Sequence, residues 1–68
     1  MAQFKQALAA YQEADALAPN QPVVQLNMGL VLYRLGQRVE ARRLWKKVLT
    51  MGDPVPAMLA EGNLNSLP

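Results

Sequence analysis

The chain has no cysteine and no histidine. Without cysteine there is no disulfide to staple a small fold and no thiolate to hold zinc or an iron–sulfur cluster. Without histidine, the commonest metal ligand and the usual acid–base group near neutral pH are missing. Serine occurs once, as Ser66, so a serine–histidine triad cannot be assembled. The acids Glu13, Asp15, Glu40, Asp53 and Glu61 are scattered, and no two share a helix face at a spacing suited to a metal or to general acid–base work. Gly29 and Gly36 belong to no phosphate loop. Aromatics are few, so there is no interleaved set of exposed rings on which bases could stack. The most apolar run, Pro22 to Leu35, is interrupted by Gln25 and Asn27 and is too short to span a bilayer. Residues 1–5 lack the basic start and apolar stretch of a signal peptide. The expectation is a non-enzyme without metal or cofactor, not associated with membrane, and cytoplasmic.

What the chain does have is a likeness to itself at a spacing of 34 residues. Ala7 recurs as Ala41, Tyr11 as Trp45, Ala14 as Val48, Leu17 as Met51 and Pro22 as Pro56. A fixed period of this length marks an array of helical repeats, in which each unit is one supersecondary element that buries its apolar face against its neighbours. Proline and glycine cut the chain into segments of the right size. Residues 2–18 are rich in good helix formers, with Phe4, Ala7, Leu8, Tyr11, Ala14 and Leu17 along one stripe. Pro19 to Pro22 ends that helix and opens the next, over 22–35, because proline cannot continue a helix but fits its first turn. Gly36 stands where a left-handed residue would stop it. A third helix is predicted over 38–51, with Val39, Ala41, Leu44, Trp45, Val48, Leu49 and Met51 as its apolar members. Beyond Gly52-Asp53-Pro54 a short, fraying helix is predicted from Pro54 to Glu61, with Asp53 as its cap. Gly62-Asn63 and Asn65-Ser66 lower helix propensity after that point. The fold class is all-α: three main helices in antiparallel hairpins plus a short C-terminal helix.

Helix, short turn, helix at this period resembles the tetratricopeptide repeat, whose pattern runs W-x2-L-G-x2-Y, then A-x3-F, then P. Here the first part reads Gln25-x2-Met28-Gly29-x2-Leu32, and the second Ala41-x3-Trp45, closing at Asp53-Pro54. Upstream, Ala7-x3-Tyr11 and Pro19 match the second half of a preceding repeat. Gln25 departs from the bulky residue of the pattern, and Gly62 and Asn63 fall on its Leu and Gly slots in the tail. The domain reading is therefore a single domain over 1–68: residues 2–18 the second helix of a partial repeat, 22–53 a full repeat, and 54–68 a partial repeat or cap. Either the chain belongs to a longer array or it completes itself by pairing.

The resemblance implies a concave groove lined by the first helix of each repeat, here by Val23, Leu26, Leu30, Tyr33 and Arg34. These are the partner-binding candidates, with Tyr33 and Arg34 best suited to give direction. Family members that grip the carboxylate of a chaperone tail use Lys and Asn where this chain has Leu26 and Leu30, so that use is not expected here. The implied function is a protein-interaction scaffold or adaptor with an apolar concave surface. It is expected to self-associate as a homodimer through the second helix, by two-fold symmetry and with helices exchanged in one version, or to sit in a longer array. A second reading uses the basic cluster of Arg38, Arg42, Arg43, Lys46 and Lys47 on the third helix to bind nucleic acid. The plainer reading of that cluster is a solvated outer face, and it is favoured.

Overall fold

A computed structural model describes residues 2–67. It contains α1 (Ala2–Leu17), α2 (Pro22–Arg34), α3 (Arg38–Leu49) and α4 (Pro54–Ser66), and no strand among the described residues. The four segments are those that proline and glycine mark out; the first three end one or two residues short of the sequence reading, and the fourth runs beyond it.

The turns follow from local chemistry. After α1 the chain reverses at Asn20, with φ 63°, a conformation that asparagine tolerates better than most residues. The Asn20 amide donates to Asp15 Oδ1 at 3.1 Å, so an α1 side chain holds the turn. Pro22 then occupies the first turn of α2. At the other end of α2, the Gln37 amide donates to the Leu32 carbonyl and the Gly36 amide to the Tyr33 carbonyl, the paired bonds of a Schellman stop. Gly36 sits at φ 87°, as the sequence predicts. A Cβ there would meet no neighbour, so the only cost of substitution is backbone strain. Gly36→Val is expected to lower stability by about 1–2 kcal/mol, the cost of a left-handed β-branched residue. Urea denaturation followed by helical circular dichroism measures it, and an unchanged midpoint would show that the turn relaxes into another conformation.

Each helix packs on the next in sequence, and α2 also touches α4. Among the helices α1 touches only α2. The Cα atoms fill a slab 30 × 30 × 16 Å, thin enough for two helix layers. The core lies between α2 and α3 and is closed by α4: Leu26, Met28, Leu32, Ala41, Trp45, Val48 and Ala60. Trp45 is 1% exposed, and its indole N–H donates to the Leu26 carbonyl at 3.2 Å. Small residues let the helices approach. A Cβ on Gly29 would overlap the indole nitrogen and stand 2.9 Å from Cδ1.

Three expectations are corrected. First, α4 does not fray at Glu61 but continues to Ser66. Glycine costs a helix interior about 1 kcal/mol, and here packing offsets it: Ala60 is fully buried, and Leu64 and Leu67 pack on the core. Arg42 also donates to the Leu67 carbonyl at 3.2 Å. Asp53 does occupy the N-cap position, but its side chain makes no capping bond. Second, Leu17, Val39 and Leu49 stand exposed although they share the apolar stripes of α1 and α3; on α3 the packed side is that of Ala41, Trp45 and Val48, and Val39 and Leu49 lie off it. Third, Gln25, a polar residue in the bulky slot, is buried all the same, at 2% exposure. Its Nε2 donates to Asp15 Oδ1 at 2.7 Å, tying α2 to α1.

Candidate functional site

The second helix has more apolar side chains than its hairpin partner can cover, and where the surplus goes defines the site. Asn27, Leu30, Val31 and Arg34 recur at helical spacing along one side of α2. Phe4 and Tyr11, two turns apart, face them from α1. The six line an open hollow of about 270 Å³. Its walls are mostly apolar, with Asn27 able to donate and accept hydrogen bonds and Arg34 exposed to solvent. The arrangement offers no nucleophile and no acid–base pair. It can seat apolar side chains and hold a carboxylate or carbonyl against Arg34.

The five residues expected to form the groove do not all meet there. Leu30 and Arg34 line the hollow. Leu26 does not: it is 6% exposed and part of the core, because α2 is flanked by α1, α3 and α4 and little of its circumference is left open. Val23 is exposed in the first turn of α2 and does not line the hollow. Tyr33 turns towards α3. Its ring centroid is 6.0 Å from that of Trp45, and the Arg38 guanidinium carbon lies 5.4 Å above it. The α1 contribution, Phe4 and Tyr11, was missed as a site because helical periodicity read them only as core. The signal was present, since a helix with one packed neighbour cannot bury a whole stripe.

The basic cluster is partly consumed within the molecule. Arg38 lies on Tyr33, Arg42 holds the end of α4, and Arg43 pairs with Glu40 at 3.2 Å on an exposed face. Arg42, Arg43 and Lys46 surround a shallow depression with Val39, and Lys47 lies outside it. Lys46 and Lys47 are exposed. No helix among the described residues is long and apolar enough to cross a membrane.

A family model described as a TPR repeat matches residues 3–36, half of the chain. The matched stretch takes in α1, the Asn20 turn, α2 and the Gly36 stop, and so contains every residue that lines the hollow. No curated protein and no solved structure matches the chain.

Proposed function

Since the chain belongs to the tetratricopeptide repeat family, we propose that it is a non-catalytic protein-interaction module whose binding site is the hollow between α1 and α2. The observation that carries this reading is the lining itself: Phe4, Tyr11, Leu30 and Val31 form an apolar wall with Arg34 at its edge. Aromatic and arginine side chains contribute disproportionately to protein interfaces. The occupant is an apolar helical segment, and the binding energy comes mainly from area removed from water. Residues 22–53 are read as a full repeat, flanked by partial repeats over 2–18 and 54–68, in a cytoplasmic protein.

The module also binds its own copy. A homodimer paired through Leu26 is not the arrangement favoured, because a buried core leucine offers no surface. Nucleic acid is the weaker alternative, since Arg38, Arg42 and Arg43 each have a partner within the chain. Amide NMR spectra separate the readings. Raising the protein concentration is expected to shift resonances at Phe4, Tyr11, Leu30 and Arg34. Adding non-specific duplex DNA at low salt is expected to leave the spectrum unchanged. DNA-induced shifts at Lys46 and Lys47 that vanish with added salt would favour the alternative.

A further inference from the structure

The internal period relates the open hollow to a place elsewhere in the fold. Phe4 and Tyr11 correspond to Arg38 and Trp45, and Leu30 corresponds to Leu64, each 34 residues later. In the second pair of helices Trp45 is covered, with Gly29 of α2 against it and Tyr33 beside it, while Arg38 is exposed and lies over the Tyr33 ring. Leu64 packs on the same core. In the first pair the equivalent place is the open hollow, so its geometry is that of a seat for a helix of the α2 kind.

The converse defect lies on α4. Its inner face, Pro56, Ala60, Leu64 and Leu67, is packed. Its outer face carries Val55, Met58 and Leu59, which are 63%, 68% and 54% exposed, followed by Gly62. The counterparts of Met58, Leu59 and Gly62 in α2 are Val24, Gln25 and Met28, which are half-buried or buried. A helix apolar on both faces belongs between two neighbours, and among the described residues no helix lies over the outer face of α4.

We propose that α4 of one copy seats in the α1–α2 hollow of a second copy, so that molecules associate head to tail. The proposal rests on the reading of that hollow as the binding site and names its occupant. One contact covers both open surfaces, and α4 is the internal counterpart of α2, which fills the equivalent place within the molecule. The two elements carry no like charge: the sole charged side chain of α4 is Glu61, and that of the hollow is Arg34. Steric fit is reasonable too. The counterpart of Gly29 is Asn63, which carries a Cβ, but the atoms that crowd Gly29 belong to the five-membered ring of Trp45, and Tyr11 has no such second ring. Because the two surfaces differ, the interface is heterologous, and each added copy leaves one hollow and one α4 face open for the next.

Sedimentation equilibrium on the full chain tests this. The average mass is expected to rise with concentration up to about 100 μM and to pass the dimer. Met58→Glu/Leu59→Glu alters only exposed side chains, and Phe4→Glu places a carboxylate in the first turn of α1, where the helix dipole favours it. Each is expected to weaken association about tenfold or more, while a mixture of the two variants forms a one-to-one pair and nothing larger. Should Phe4→Glu lose helical circular dichroism, Arg34→Glu, at an exposed position, replaces it. A parent chain that is monomeric throughout, or one that stops at a dimer indifferent to the α4 variant, overturns the proposal. If the hollow variant abolishes association and the α4 variant does not, the site stands and its occupant is wrong. If neither has an effect, both fall.

Discussion

Trp45→Ala is expected to cost about 3–5 kcal/mol, the range for removing a large core aromatic. The indole lies between α2 and α3 at 1% exposure, against Gly29 and beside Tyr33, and its N–H is satisfied by the Leu26 carbonyl. Alanine leaves a void that two helices joined by a fixed Schellman turn cannot close. A single core in a chain this short supplies only about 3–5 kcal/mol, so the variant is expected to be largely unfolded at room temperature. Circular dichroism of the variant measures this, and a melt within a few degrees of the parent would show that Trp45 does not hold the two helices together.

Gly29→Val is the second large effect. Helix propensity alone says that replacing a glycine in a helix interior helps, by up to about 1 kcal/mol for alanine. Packing says the reverse. The added Cβ would overlap the indole nitrogen and lie 2.9 and 3.0 Å from Cδ1 and Cε2 of a ring with no room to retreat. Overpacking of this kind costs about 1–3 kcal/mol and sometimes more, and the two further methyls of valine place this case at the upper end. The coupling is testable. In a Trp45→Phe background, where the five-membered ring is absent, the cost of Gly29→Val is expected to shrink, giving a non-zero interaction energy in the double-mutant cycle. Additive effects would mean that α2 shifts bodily instead of pressing on the ring.

Much of the architecture was legible because it is written in local rules. Pro22, Gly36 and Pro54 punctuate the helices, and Trp45 is marked as the core residue both by its place in the 34-residue period and by size. What escaped was set by partners distant in sequence. The length of α4 depends on Leu64, Leu67 and the Arg42 contact, none of which alters the weak propensity of Gly62-Asn63. The Gln25–Asp15 bond joins two residues that each look like ordinary surface polars until α1 and α2 are placed side by side. The site was half legible. Leu30 and Arg34 follow from α2 alone, whereas burial of Leu26 and exposure of Phe4 and Tyr11 to the hollow depend on how many neighbours each helix has. Periodicity identifies an apolar stripe, but it does not say what covers the stripe.

The open hollow and the bare face of α4 give one direct measurement. The absence of native cysteine allows a single nitroxide label at Met58→Cys, on an exposed turn of α4. The labelled chain is mixed with an isotopically enriched, unlabelled chain, and paramagnetic broadening is read between molecules. Strong broadening at Phe4, Tyr11, Leu30 and Arg34, with the α3 resonances spared, is the expected result. Broadening centred on α3 or on α4 itself, or none at all, would contradict a recognition surface in the hollow filled by α4 of another copy.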